Sequence, residues 1–339
     1  MNSKELNKAI LFVANYKSGS GGISTQVDIL SDLLRKEGYP IGICSLKGTV
    51  LTRIKALTRI CKVAKNYDVL HIHACSRWGF VPAVIGIKVG KKLGKKIVLT
   101  YHGGGAKSFF RKHTRLVKKY LGQTDTNIVL SGFLCEVFCQ YDIPCVIVPN
   151  IIELREGVYR DRASILPNFI SIRSFTPTYN MLCTLKAFLI VKQRFPQATL
   201  TLLGGGPLRS ELEAFVCEQK IDDVNFVGVV PNEVVYDYLD KADVMLSSPL
   251  TDNMPVSLLE GFNAGLLVIS SRVGGVPYMI QDGINGLLFS SDNANEMADK
   301  MIESIENQEK TKEMIRNAHE DLRSYSWENN REKYFSIYQ

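Results

Sequence analysis

Four places in the 339-residue sequence combine residue types that can hold a phosphorylated, hydroxyl-rich ligand. The longest runs Pro249-Leu250-Thr251-Asp252-Asn253-Met254-Pro255-Val256-Ser257-Leu258-Leu259-Glu260-Gly261. Pro255 followed by Ser257 reads as a helix opening. Backbone N–H groups at that opening have no intrahelical partner and can take phosphate oxygens. Asn253 and Met254 lie in the approach to it. Asp252 stands just before the helix and Glu260 inside it, so the two carboxylates can meet opposite ends of one elongated ligand, a sugar at one and a ribose at the other. A Glu within the apolar stretch Val256–Leu267 is costly to bury without a partner. Ser270–Pro277, after the next apolar run, walls the same pocket.

The other three places are shorter. Gly204-Gly205-Gly206-Pro207 follows an apolar run and opens a helical pattern, a setting that suits an anion. Arg173 precedes it; a guanidinium there can bind a pyrophosphate through paired N–H groups, although a lone Arg at a strand end is ordinarily a surface ion pair. Tyr101-His102-Gly103-Gly104-Gly105 puts an imidazole beside glycines that leave room for a substrate, and His102 can donate to a hydroxyl or to developing charge. Ser18-Gly19-Ser20-Gly21-Gly22-Ile23-Ser24 offers Gly21 and Gly22 for close approach of backbone to a ligand. It is neither G-x-G-x-x-G nor a Walker loop, so dinucleotide and ATP chemistry are not indicated. His71 and His73 alternate inside an apolar run and read as sheet residues without a catalytic role. There is no D-x-D pair, and none of the eight cysteines makes a C-x-x-C, so no metal and no cofactor is expected.

These groups must be positioned by a chain that alternates short β-branched runs with longer amphipathic ones, the sign of βαβ units and parallel sheets. The first half predicts strands at Ala9–Asn15, Ile41–Ser45, Val69–His73, Lys96–Tyr101, Asn127–Leu130 and Cys145–Val148. It predicts helices at Thr25–Glu37, Thr52–Asn66, Gly79–Leu93 and Lys107–Leu121. After a polar break at Pro149–Asn168 the alternation restarts. Strands are predicted at Asn168–Ile172, Thr199–Leu203, Val224–Val227, Val244–Ser247 and Leu267–Ser270. Helices are predicted at Met181–Arg194, Pro207–Gln219, Asn232–Lys241, Pro255–Ala264, Ala294–Gln308 and Lys310–Tyr325. Two doubly wound α/β domains facing across a cleft are expected, with ligands at the strand C-termini.

Charge divides in the same place. Residues 1–150 hold 23 Lys and Arg against 8 Asp and Glu, whereas the remainder holds 18 against 26. No acid lies between Asp68 and Asp125, so the first half faces anions. The basic, partly apolar region Lys88–Lys119 suits an anionic membrane surface. An aromatic platform or known module for nucleic acid is lacking, so no nucleic-acid partner is expected. Without a secretory signal or an apolar run of about 18 residues, the expectation is a reduced, cytoplasmic protein, peripheral at most on the inner face of the membrane.

The ordered set of motifs resembles the retaining GT-B glycosyltransferases of glycosyltransferase family 4, over nearly the whole chain. Gly19–Gly22 resembles the N-terminal glycine loop, His102-Gly103 the HG after the fourth strand, and Arg173 the Arg opening the second domain. Leu203–Pro207 resembles the G-x-G-P loop, and Asp252–Glu260 the E-x7-E motif. Gly261–Pro277 resembles its continuation, and Ser326-Trp327-Glu328 the start of a helix that returns to the first domain. The resemblance implies an acceptor-side domain of residues 1–155 with 326–339, and a nucleotide-sugar domain of residues 156–325. It implies that Glu260 binds ribose and Asp252 the donor sugar. Val256 and Ser257 would hold diphosphate with Arg173, His102 would lie beside the sugar, and Gly21, Gly22 and Gly205 would add contacts. Val229, within Gly228–Val230, would border the base. The activity implied is retaining, metal-independent transfer of a hexosyl or N-acetylhexosaminyl unit from a nucleotide diphospho-sugar to a saccharide or lipid-linked saccharide, in surface-polysaccharide synthesis. A catalytically weak sugar-nucleotide-binding partner subunit is the alternative. An epimerase of the same fold would want further carboxylates that the sequence does not offer. Three departures stand out: Asp252 replaces the first Glu, Pro255 removes a backbone N–H, and Thr178 and Tyr179 stand where the family usually carries a Lys.

Overall fold

The computed structural model describes residues 7–18, 21–48, 58–153 and 157–339. Contacts divide the chain into one unit of Met1–Glu153 with Tyr325–Gln339 and another of Leu154–Ser324. The segment Thr52–Asn66, expected to be helical, lies outside the described residues up to position 57, as do Gly19 and Ser20 of the first glycine loop.

The first unit is built on a six-stranded parallel sheet in the order β2-β1-β3-β4-β5-β6. Its strands are β1 (Ile10–Ala14), β2 (Ile41–Ser45), β3 (Val69–Ala74), β4 (Lys96–Tyr101), β5 (Thr126–Val129) and β6 (Val146–Ile147). Both faces are covered, so the central strands read as continuous apolar runs. Side chains alternate between the faces. Leu11, Val13, Leu70, Ile72, Ile97 and Leu99 join one core. Ile10, Phe12, Val69, Val98 and Ile128 join another, closed by Trp327, Tyr334 and Tyr338 of the C-terminal helix Trp327–Tyr338. Ser326 starts that helix by accepting a hydrogen bond from the Asn329 N–H. The register of β3 on β4 pairs His71 with Val98 and His73 with Thr100. Both histidines therefore lie on the face under the C-terminal helix.

The second unit is another six-stranded parallel sheet, in the order β12-β11-β10-β7-β8-β9. The strands are β7 (Asn168–Ile172), β8 (Thr199–Leu203), β9 (Val224–Gly228), β10 (Val244–Ser247), β11 (Leu267–Ser271) and β12 (Leu287–Phe289). From β7 the chain winds outward through β8 and β9, then crosses back to lay β10, β11 and β12 on the other side. The strand order reverses between β7 and β10, which makes their C-terminal ends the place where a ligand is expected. A buried cation ties the opening of the unit to this sheet: Arg162 bonds Asp243 at 3.0 Å and the carbonyls of Ala242, Ala264 and Gly265.

Three elements differ from the sequence expectation. Lys107–Leu121 is two helices, Ala106–Lys112 and Thr114–Leu121, because the chain leaves helical geometry at His113 (φ −126°, ψ 35°). The apolar run Gly132–Cys139 is a helix, capped by the Ser131 side chain. The short strand β12 was not expected at all.

Candidate functional site

In the second unit the reversal point is occupied by Arg173, the first residue after β7. Its Nε and Nη2 donate to Oγ of Ser247, the last residue of β10, at 3.2 and 2.9 Å. Its Nη1 lies 3.4 Å from Oδ2 of Asp252. Its guanidinium stacks over the ring of Tyr179, 5.3 Å from the centroid. Only 9% of the Arg173 side chain and 19% of the Asp252 side chain are exposed, so this pair is weakly screened by solvent.

The Ser247–Ser257 loop is held from three sides. Ser248 Oγ donates to the carbonyl of Asn180, and Leu250 N–H to that of Thr178 at 2.8 Å. Ser271 Oγ donates to the Pro249 carbonyl at 2.6 Å. The Gly275 N–H donates to the Asp252 carbonyl, and a Cβ on Gly275 would stand 2.3 Å from the Asn253 carbonyl oxygen. The glycine turn at 274–275 is thus packed against the loop that carries Asp252. Pro255, with φ −71° and ψ 120°, is the N-cap of the helix Val256–Asn263. Its ring presets the backbone for helix entry, so the missing N–H is one the helix could not have used. Val256 and Ser257 are the first two helical residues, Glu260 is half-buried in the next turn, and Asn253 and Met254 are buried before the cap.

Two oxygens here have no hydrogen-bonding partner although they are shut from solvent: Asp252 Oδ2 and Ser257 Oγ. Asp252 Oδ2 faces Arg173 at 3.4 Å, a charge contact longer than a hydrogen bond. Its partner oxygen, Oδ1, accepts from the Asn253 N–H at 2.8 Å. Buried polar atoms left unsatisfied are few in folded proteins, and each calls for a physical reason. A ligand bearing hydroxyls and phosphates would satisfy both.

The glycine triplet after β8 has a different reason from the one expected. Gly204 adopts φ +137°, and a Cβ there would fall 1.9 Å from the Arg173 carbonyl oxygen; one on Gly206 would fall 2.4 Å from that of Phe175. These glycines let the loop after β8 pass across the loop after β7, so the close approach is to the chain's own backbone. The following helix begins only at Arg209, so its N-terminus does not open directly on Gly205. Val229 is 83% exposed beyond β9, with its side chain against Gly205.

In the first unit Gly21 (φ +80°) caps the helix Gly22–Lys36, a conformation that favours glycine, and among the described residues nothing beyond its chain neighbours stands within 4 Å of a Cβ on Gly21 or Gly22. His102 follows β4, with β3 lying between β1 and β4 in the sheet. The half-buried imidazole has Nε2 2.9 Å from Nδ1 of His73, and the rings stack. Burial lowers the His102 pKa to about 3, so it is neutral near pH 7. Gly103 is tightly packed: a Cβ there would stand 3.0 Å from Ser76 N and Oγ.

Sequence reasoning thus named Arg173, Asp252, Ser257 and His102 without their partners. Ser247 carries no signal of its own in the sequence, Tyr179 only that it stands where a Lys is usual, and His73 only the alternation of a strand residue. Each became visible only when strand order set it beside a named residue.

The family models and known proteins agree with this architecture. Residues 33–156 match the model described as Glycosyltransferase Family 4, and residues 165–321 that described as Glycosyl transferases group 1. The chain is 24% identical over 304 residues to an uncharacterized glycosyltransferase of Methanocaldococcus jannaschii, covering 81% of this chain and 78% of that one. It is 26% identical over 288 residues to the N-acetyl-alpha-D-glucosaminyl L-malate synthase of Bacillus anthracis, covering 78% and 73%. Among solved structures, sucrose-phosphate synthase from Thermosynechococcus elongatus superposes with a TM-score of 0.81 at 17% identity, over 98% of each chain. Anabaena HepE, solved with UDP-glucose, superposes with a TM-score of 0.77 at 15% identity, over 97% of this chain and 99% of that one.

Proposed function

This chain belongs to the family 4, group 1 glycosyltransferases of GT-B fold, and from that premise we propose that it moves a hexosyl or N-acetylhexosaminyl unit from a nucleotide diphospho-sugar to a saccharide or lipid-linked saccharide, with retention of configuration and without a metal. The observation that carries the reading is the pair of orphaned oxygens, Asp252 Oδ2 and Ser257 Oγ, beside the pinned Arg173 at the strand reversal. In this reading Arg173 and the amides of Val256 and Ser257 take the diphosphate, and Ser257 Oγ donates to it. Asp252 Oδ2 accepts from a sugar hydroxyl, and Glu260 accepts from the ribose. On the first unit, His102 and the backbone amides of Gly21 and Gly22 are the groups that can donate to a sugar hydroxyl or a phosphate oxygen.

Retention follows from front-face transfer. The bond from the anomeric carbon to the diphosphate oxygen lengthens, and charge grows on the leaving phosphate. The acceptor hydroxyl adds to the same face and gives its proton to that oxygen. Such a step needs fixed donors on the leaving group more than a protein base. The arrangement around Arg173 supplies them in a place with little water. Because HepE was solved with UDP-glucose, UDP-sugars are the first donors to test.

The test is a thermal-shift screen against UDP-, GDP-, ADP- and CDP-sugars, followed by NMR of the anomeric product. A ligand at about 100 times its Kd adds about 2.7 kcal/mol to the native state, a shift of roughly 5–10 °C for a domain of this size. Saturation by one base and an axial-to-axial or equatorial-to-equatorial product are expected. Absence of any shift at millimolar donor overturns the donor reading. Binding without hydrolysis or transfer would favour the partner-subunit alternative.

We also propose a lipid-docking surface on the first unit, at the sheet edge opposite the one that carries His102, Gly21 and Gly22. Leu116 is 38% exposed on the helix Thr114–Leu121 among Arg115, Lys118 and Lys119. The helix Val81–Leu93 ends near the start of β4, as Thr114–Leu121 ends before β5, so Lys91, Lys92 and Lys119 lie at the N-terminal edge of the sheet. Lys107 and Arg111 follow β4 and belong to the opposite edge. Flotation with anionic vesicles at low salt, with Lys91→Glu/Lys119→Glu as control, decides whether this surface docks.

A further inference from the structure

His73 is a group that the proposed reaction leaves unused. It lies at the end of β3, 3% exposed. Its Nδ1 is 2.9 Å from Nε2 of His102, with ring centroids 5.1 Å apart and planes at 22°. Behind it, at 4.6 Å, packs the ring of His71. The His71 nitrogens are tied to the hydroxyls of Tyr338, at 2.8 Å, and Thr100, at 2.7 Å. A ladder therefore runs from the C-terminal helix through two buried imidazoles to the histidine at the end of β4. Within it, Nε2 of His73 is buried and has no hydrogen-bonding partner. Burial leaves all three imidazoles neutral near pH 7, with His71 and His102 pushed down to about 3 and His73 well below the ordinary value.

A neutral pair of rings shares one hydrogen across the contact. If His102 supplied it from Nε2, the hydrogen of His73 would have to sit on its own Nε2, a buried N–H with nothing to receive it. If His73 supplies it from Nδ1, its Nε2 is left as a bare lone pair. Buried donors without acceptors are rarer in proteins than under-used acceptors. We propose that His73 donates its Nδ1–H to Nε2 of His102 and thereby fixes His102 in the tautomer that carries its hydrogen on Nδ1. His73 is then a positioning residue. His102 has no lone pair left for a substrate proton and can act only as a neutral hydrogen-bond donor, to a sugar hydroxyl or a phosphate oxygen. The consequence for catalysis rests on the proposed contact of His102 with the substrate; the tautomer does not. It fits a step in which the leaving diphosphate, not a protein base, collects the acceptor's proton.

The full-length protein, labelled with 15N-histidine, tests this by two-bond nitrogen–proton correlation spectra near pH 7. Five histidines are present, and His102→Gln and His73→Asn assign the two signals by their loss. A His102 signal with a protonated Nδ1 and a bare Nε2 is expected; the reverse pattern overturns the proposal. In His73→Leu, His102 should show a mixture of tautomers, and a single Nδ1–H form there also overturns it. The wild-type spectrum decides even if His73→Leu fails to fold. On activity, kcat of His73→Leu should fall about 10- to 100-fold with donor KM nearly unchanged. His73→Asn, whose amide can stand near the position of Nδ1, should recover most of it. The expected tautomer with an unaltered kcat would leave the ladder intact and remove His102 from the reaction.

Discussion

Replacing Arg173 with Lys keeps the charge at the strand reversal and removes the geometry. Lys cannot give two N–H groups to Ser247 Oγ, now at 3.2 and 2.9 Å, nor lie flat over Tyr179. The lost bond is worth about 1 kcal/mol net, and the stack about 1–2 kcal/mol because the side chain is nearly excluded from water. The second unit should lose about 2–3 kcal/mol of stability, read as a drop of roughly 4–12 °C in Tm. The effect on transfer should be separate and larger. Removing one donor aimed at a developing negative charge costs about 10²- to 10³-fold in kcat. Calorimetry and donor-saturation kinetics on one preparation, below the lowered Tm, keep the two apart. If kcat/KM of Arg173→Lys stays within about threefold of wild type while the protein is folded, Arg173 does not serve the leaving group and the proposed site is misplaced.

Tyr179→Phe preserves the stacking face and should leave kcat/KM unchanged, whereas Tyr179→Leu should lower it about 5- to 30-fold, the equivalent of about 1–2 kcal/mol of lost cation–π contact; steady-state rates at saturating acceptor check both. Gly275→Ala places a methyl 2.3 Å from the Asn253 carbonyl and 2.4 Å from its Oδ1. It should cost about 1–3 kcal/mol of overpacking and weaken donor binding by at least about tenfold, measured by calorimetric titration. Acid should weaken the first unit through His71, whose folded pKa of about 3 lies below the ordinary 6.5. The folded form refuses a proton that the unfolded chain accepts, so the stability is fully present well above pH 6.5, begins to fall near it and is lost as pH falls towards 3, at up to about 1.4 kcal/mol per pH unit. Urea midpoints at pH 7.5, 6.5 and 5.5 should show a small loss over the first step, about 0.4 kcal/mol from this histidine, and a larger one over the second, about 1 kcal/mol.

Long periodic segments were legible because two constraints agree in them. Val69–Ala74 and Leu267–Ser271 are short β-branched runs buried on both faces, and Met181–Arg194 repeats apolar residues at helical spacing. Shorter segments lack room for a period. Leu287–Phe289 is three residues between Gly286 and Ser290, and joins the sheet because β11 offers an open edge, which is a tertiary fact. Gly132–Cys139 is apolar on most positions, so its alternation looks like neither element; only the Ser131 cap favours a helix. At the site, chemistry was legible and cause was not. Glycines at 204 and 206 look like a ligand's clearance, and they are clearance for the backbone at Arg173 and Phe175. His73 looks like any strand residue, because a cross-strand neighbour two positions out of register leaves no trace in its own sequence.

The same distinction bears on the cation that the sequence lacks. Thr178 and Tyr179 replace the Lys expected after Arg173, and a tally of charges would conclude that the diphosphate is held less firmly. The geometry argues otherwise. A flexible Lys near a surface brings about 0–1 kcal/mol to an ion contact and must be ordered when the ligand arrives, at about 0.5–1.5 kcal/mol for such a side chain. Here the Tyr179 ring lies over Arg173, while Ser247 and Asp252 hold its fork through the chain's own contacts. The Thr178 and Asn180 carbonyls anchor the loop that carries Asp252. The segment that gave up a charge thus holds the remaining one still, and the ordering cost it removes is as large as the contact it forgoes. Asp252 fits the same logic: one methylene shorter than Glu, its carboxylate stays against Arg173 and the Asn253 amide, and still leaves Oδ2 for a hydroxyl.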